Sequence, residues 1–120
     1  MRSNEHNIET GRYGEGLAKE YLRKKGYTIL KQNYRTKYAE IDLVAREKDV
    51  LVIVEVRTKI GEQFGTPEET LDNKKLQKVR RNAQVYATQV KWDKIYRIDA
   101  VCIVLKEDQS LERLSHYISI

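Results

Sequence analysis

A chain of 120 residues has enough apolar sequence for one core, so a single domain is expected. Charged residues make up 34% of it and hydrophobic ones 40%, a balance that suits a soluble globular protein and argues against disorder. The longest apolar run, Ala100 to Leu105, is far short of the ~20 residues a bilayer-spanning helix needs, so no membrane association is expected.

The N-terminal run Met1-Arg2-Ser3-Asn4-Glu5-His6 lacks the apolar stretch of a secretion signal, and a cytoplasmic location is expected. The single cysteine, Cys102, excludes an internal disulfide and a cysteine-cluster zinc site. His6 and His116 lie at opposite ends of the chain, which leaves carboxylates as the metal-ligand candidates. The net charge is +5, unevenly spread. Between Asn73 and Lys94 stand Lys74, Lys75, Lys78, Arg80, Arg81, Lys91 and Lys94 against one acid, Asp93, so this segment carries +6 and the remainder −1. Such a stretch suits a polyanionic partner, and equally a solvated helix face.

In chain order, Tyr13, Leu17, Ala18, Tyr21 and Leu22 recur at helical spacing, and Gly26 stands where a C-terminal cap belongs. Glu15 falls in or just before the first turn of this helix. The β-formers Tyr27, Thr28 and Ile29 open a strand predicted to run to Tyr34. Residues 39–46 alternate, with Ile41, Leu43 and Ala45 on one face and Glu40, Asp42 and Val44 on the other. Residues 50–58 are apolar on both sides until Glu55, as expected of a strand covered on both faces. Glu47, Lys48 and Asp49 between these two runs predict a tight hairpin.

Gly61 and Gly65 mark a loop, and Thr66-Pro67-Glu68-Glu69 has the form of a capping box with proline at the first helical position. Asp72 is a second candidate cap for the helix that follows. Its apolar stripe is Leu76, Val79, Ala83, Tyr86 and Val90, with Lys74, Lys78 and Arg81 on the opposite side. Strands are predicted from Ile95 to Leu105 and from Leu111 to Ile120. The resulting order is α-β-β-β-α-β-β. It predicts an α/β fold with a mixed central sheet of about five strands flanked by helices.

The chemistry concentrates in the hairpin. With Lys48 and Asp49 as its turn residues, Glu47 pairs with Val50, Asp42 lies opposite Glu55, and Glu40 lies opposite Arg57. Opposed side chains have Cβ atoms ~4.5–5.5 Å apart. Glu55 sits on a strand face otherwise formed by Leu51 and Ile53, where an unpaired carboxylate would cost several kcal/mol. A hard divalent cation such as Mg²⁺ relieves this, since it takes oxygen ligands and is commonly held by one or two carboxylates. Arg57, and Lys59 one alternation further on, point the same way as Glu55 and offer a cation for a phosphate. Two acids for a metal beside a cation for a phosphate suit phosphodiester hydrolysis. Ordinary cross-strand ion pairs, Glu40 with Arg57 and Asp42 with a nearby base, fit the same residues.

Gly14-Glu15, Glu40-Ile41-Asp42-Leu43-Val44-Ala45, Val54-Glu55-Val56-Arg57, Phe64-Gly65-Thr66-Pro67-Glu68-Glu69 and Arg97-Ile98-Asp99 occur in order along nearly the whole chain. Together they closely resemble the YraN-type family of small bacterial proteins. That resemblance implies a restriction-endonuclease-like fold akin to the archaeal Holliday-junction resolvases. Nucleases of that kind carry a glutamate on the first helix, an aspartate on one strand and Glu-x-Lys on the next. Carried over residue by residue, these are Glu15, Asp42, Glu55 and Arg57. Arg57 departs from the usual lysine. Arginine is effectively always protonated, so it orients phosphate but cannot take a proton from water. Lys59 is the neighbouring residue that would supply what Arg57 lacks. Ala39 stands where the family often has glycine, which touches turn geometry only.

The expectation is therefore a nuclease acting on DNA, including branched or otherwise structured DNA, with Mg²⁺ or Mn²⁺ as cofactor and a homodimer as the working form. Glu15, Asp42 and Glu55 would hold the metal, and Arg57 would contact the scissile phosphate. Lys59, Lys74, Lys78 and Arg81 would bind the nucleic-acid backbone. The alternative is a non-catalytic nucleic-acid-binding module on the same fold. Tyr34, Tyr38 and Trp92 are candidates for base stacking or for packing on the sheet. Asp99 is read as a structural partner of Arg97, and Cys102 as core.

Overall fold

The computed structural model describes residues 4–120, with side chains from residue 8 onward. The first three residues, read above for targeting signals, lie outside the described residues, as does the side chain of His6. Helix α1 (Asn4–Lys24) leads into strands β1 (Thr28–Arg35), β2 (Glu40–Glu47) and β3 (Val50–Ile60). A 3₁₀ turn at Glu68–Thr70, helix α2 (Asn73–Gln89) and strands β4 (Tyr96–Leu105) and β5 (Leu111–Tyr117) follow. The order is the predicted α-β-β-β-α-β-β. The five strands lie in the sheet in chain order, antiparallel at every contact except β3 with β4, which is parallel.

The parallel contact sets the layering, because a β3–β4 crossover needs a connecting element and α2 supplies it. Helix α1 covers one face through Ala18 and Leu22, which pack on Leu43, Val52, Val54, Val101 and Ile103. Helix α2 covers the other through Val79, Ala83 and Tyr86, packed on Ile41, Val44, Leu51 and Ile53. Strands β3 and β4 are buried on both sides over most of their length, which explains why they read as nearly continuous apolar runs. Cys102 is fully buried there, and burial pushes its thiol up to about 11.

Local chemistry sets the element ends. Gly26 adopts φ +96°, the Tyr27 N–H donates to the Leu22 carbonyl at 3.0 Å, and the Gly26 N–H donates to Arg23. This is the doubly bonded glycine cap that ends α1. Thr66 and Glu69 form the reciprocal box: the Thr66 N–H donates to Glu69 Oε1 at 2.7 Å and the Glu69 N–H to Thr66 Oγ1 at 3.2 Å. It starts only the single 3₁₀ turn. Asp72 caps α2, its Oδ1 accepting the Lys75 N–H at 2.8 Å.

Two stripe residues are exposed: Tyr13, and Val90, where α2 has already ended. Alternation in β2 also breaks. Ile41 packs toward α2, whereas Leu43 and Ala45 pack toward α1, so these three do not share a face. Two of the three aromatic candidates are held within the fold, whereas Tyr38 is exposed. Tyr34 packs edge-on against Tyr86 at 5.3 Å, and the Trp92 indole N–H donates to the Ile95 carbonyl.

The last strand is locked by a buried polar knot around Asp99, which has no solvent exposure. Arg97 Nε donates to Asp99 Oδ1 at 2.9 Å, His116 Nε2 lies 2.8 Å from Oδ2, and the Ser119 N–H donates at 3.1 Å. Burial opposes ionisation of Asp99, but the bonds from Arg97 and His116 outweigh it and hold the carboxyl below its ordinary range. His116 Nδ1 also meets the Tyr21 hydroxyl at 3.2 Å, which ties β5 to α1. Asp99→Ala would leave Arg97 and His116 without their shared acceptor, so it is expected to cost about 3 kcal/mol or more. Urea unfolding checks this; a loss below about 1 kcal/mol would assign the knot no structural weight.

Candidate functional site

The β2–β3 register is the expected one, from Glu47↔Val50 up to Leu43↔Val54. There the ladder stops, one pair short of Asp42 and Glu55. The Val56 N–H, left free where the strands part, donates to Asp42 Oδ2 at 2.8 Å. Glu55 continues the Leu51–Ile53 face toward α2. Both carboxylates line one cleft of about 420 Å³, together with Glu15, Arg57, Lys59 and Lys75. Glu55 and Lys75 also border an adjoining hollow of about 310 Å³, where Lys78 and Tyr38 contribute to the wall.

Three local devices set this geometry. Gly14 lets α1 close on β3, for a Cβ there would collide with the Thr58 side chain. That close approach brings Glu15, the next residue, to the cleft. Asn33 then holds it, donating Nδ2–H to Glu15 Oε1 at 2.7 Å from a backbone at φ 50°. On the other side, buried Asn82 of α2 donates to the Ala39 carbonyl at 3.1 Å and accepts from the Thr36 hydroxyl. This clamps the turn before β2 onto α2, and with it Glu40 and Asp42.

The charges are crowded. Burial, and next the Glu55 carboxylate, push the Asp42 carboxyl up to about 7. Burial also raises Glu55, against the pull of Arg57 and Lys75. Glu55 Oε2 lies 3.2 Å from Arg57 Nη2 and 3.5 Å from Lys75 Nζ. The Glu40–Arg57 ion pair expected from opposition on the hairpin is replaced by this one, because the strands part before those residues face each other.

The proposed three-carboxylate metal set is also not gathered as a cage. Among the described residues no three His, Cys, Asp or Glu side chains converge as metal ligands. Glu15 is instead turned to Asn33 and to Arg12, whose Nη1 is 3.5 Å away. The donors that do share the cleft are hard oxygens, a set matched to Mg²⁺ or Mn²⁺. The Thr58 hydroxyl and Arg57 Nε are buried beside it without hydrogen-bond partners. The chemistry of these oxygens is compatible with such an ion, for which Asp42 and Glu55 would be the ligands and Glu15 a further carboxylate lining the same cleft.

The basic residues divide. Lys59 lines the cleft, its ammonium 3.5 Å from the Phe64 carbonyl. Lys78 lines the adjoining hollow, and Lys74 is exposed at the start of α2. Arg81 stacks over Tyr38 at 4.5 Å and borders a separate surface hollow with Arg35 and Lys37. Sequence reasoning passed over Lys75, Asn82 and Asn33. The legible signal for Lys75 is its place, with Lys74, in the first turn of α2, against the positive end of the helix dipole.

An α/β domain with two crowded acids in one cleft at the edge of a central hairpin is thus the class this fold and site define. The chain belongs to the uncharacterised protein family UPF0102, whose sequence profile matches residues 14–103. It is 38% identical over 105 residues to a UPF0102 protein of Thermodesulfovibrio yellowstonii, covering 88% of this chain and 94% of that one. It is also 38% identical over 114 residues to one of Syntrophomonas wolfei, covering 94% and 97%. A third, from Herpetosiphon aurantiacus, is 40% identical over 112 residues, 89% of each. The YraN-type resemblance is consistent with this membership. No helix among the described residues is long and apolar enough to cross a membrane.

Because Asp42 binds its proton more tightly when folded, its stabilising share is full below its ordinary value of 3.8 and is lost as pH rises through about 7. Asp42→Asn keeps an acceptor for the Val56 N–H and removes that loss. In EDTA the variant is expected to melt several degrees above wild type at pH 8 and close to it at pH 4. A variant that melts at or below wild type at pH 8 would contradict the crowding.

Proposed function

We propose that this protein is a Mg²⁺- or Mn²⁺-dependent nuclease that hydrolyses phosphodiester bonds in DNA, including branched or otherwise structured DNA. The observation that carries the reading is the pair Asp42 and Glu55, placed in one cleft where burial raises the proton affinity of both and the Glu55 carboxylate raises that of Asp42 further. A site that costs stability without a bound cation is better explained by use than by folding.

Asp42 and Glu55 would hold the ion, with Glu15 across the cleft. Bound there, a divalent ion supplies a water activated for attack and offsets charge on the phosphate. Arg57, with Nε unpartnered, has donors to spare for the scissile phosphate. Lys59 extends the cationic wall, and Lys74, Lys78 and Arg81 give the flanking backbone a basic track along α2. A homodimer would present two such clefts to two strands.

The test is incubation of purified protein with Mg²⁺ or Mn²⁺ and four-way, flapped and linear DNA. Cleavage is expected, falling by a factor on the order of 100 or more in Asp42→Ala and in Glu55→Gln. Wild-type activity no higher than that of Asp42→Ala would remove the enzyme reading.

Arg57 in place of lysine, and the two cations already on Glu55, favour a second reading: a nucleic-acid-binding module without catalysis. On that reading DNA binding weakens with salt and with loss of Lys78 and Arg81, and is indifferent to Glu55→Gln.

A further inference from the structure

We propose that Lys75 is a phosphate-binding residue of the cleft, held on Glu55 until a nucleic-acid phosphate and a divalent ion together displace that ion pair. The inference rests on the metal-site reading above and adds to it a residue and a coupling.

Lys75 leaves α2 in its first turn, where the Asp72 cap accepts its backbone N–H and the turn itself holds no acid. A cation at this end opposes the helix dipole, so helix stability does not account for it. Its ammonium reaches Glu55 Oε2 at 3.5 Å, inside the same cleft as Asp42, Arg57 and Lys59. The lysine side chain is 39% exposed and Glu55 only 9%, so the lysine is the partner free to move. Arg57, on the same strand as Glu55 and with Nε buried, is the fixed one.

With Asp42 ionised, Asp42 and Glu55 against Arg57 and Lys75 form a neutral set, to which Glu15 and Lys59 add one charge of each sign. A divalent ion added between the acids leaves two unbalanced positive charges, and Lys75 must withdraw. Phosphate anions arriving in the cleft balance that excess and give the released ammonium its new partner. Metal and nucleic acid therefore assist each other's binding, and by linkage the assistance is equal in both directions.

The experiment is calorimetric titration of MnCl₂ into the full chain, alone and with a short DNA duplex, after subtraction of Mn²⁺ binding to the duplex and with a gel check that it stays intact. Without DNA, Lys75→Met is expected to bind Mn²⁺ roughly 10-fold more tightly than wild type. DNA is expected to tighten Mn²⁺ binding to wild type by roughly 5-fold or more, and that gain is largely lost in Lys75→Met. Lys75→Arg keeps the wild-type pattern, and Lys106→Met, which removes the same charge from the β4–β5 turn, leaves it in place. Lys75→Gln serves should Lys75→Met fail to fold. Equal Mn²⁺ affinity in wild type and Lys75→Met, or an equal gain from DNA in both, overturns the role of Lys75 alone. No Mn²⁺ binding to wild type under either condition overturns the metal site and this inference with it.

Discussion

The carboxyls of Asp42 and Glu55 share a cleft that withholds much of their hydration, and the neighbouring elements are arranged around the cost of keeping them there. The β2–β3 ladder ends one pair early, so Asp42 takes the Val56 N–H in place of a backbone partner. Arg57 and Lys75 converge on one oxygen of Glu55. Gly14 removes the side chain that would hold α1 off β3, and the Thr36–Asn82 contact fastens the turn before β2 to α2. Each of these is a local concession made near the cleft, while the central strands on either side of the sheet remain regular and apolar.

That contrast separates a fully buried acid from a partly buried one. Asp99 is more deeply buried than Asp42, yet Arg97, His116 and the Ser119 N–H satisfy it and keep it ionised. Asp42 has one backbone donor and an acid for a neighbour, and its proton affinity rises. Burial is common to both; only the second environment lacks a cation dedicated to it. The first acid is a structural element of the β4–β5 edge, and the second is where a ligand of opposite charge would be stabilising.

Much of this was legible in residue patterns because it depends on neighbours in the chain. The hairpin register follows from the Glu47-Lys48-Asp49 turn, the α1 stop from Gly26, and the α2 start from Asp72, all set within a few residues. What escaped depends on three-dimensional departures from regularity. Strict alternation put Ile41 with Leu43, but β2 turns toward α2 where it leaves β3. The same parting cancels the Glu40–Arg57 pair. Lys75 meets Glu55 across two elements, and His116 meets Asp99 from a strand far along the chain, contacts that no spacing rule encodes.

On the proposed reading, the cleft shared by the two carboxylates reduces to one claim: a divalent ion belongs between Asp42 and Glu55. Anomalous scattering from crystals grown with Mn²⁺ tests it most directly. The account predicts an anomalous peak within coordination distance of both carboxylates, with Lys75 withdrawn from Glu55. Crystals that bind Mn²⁺ elsewhere, or leave Glu55 paired with Arg57 and Lys75 at saturating Mn²⁺, would contradict it.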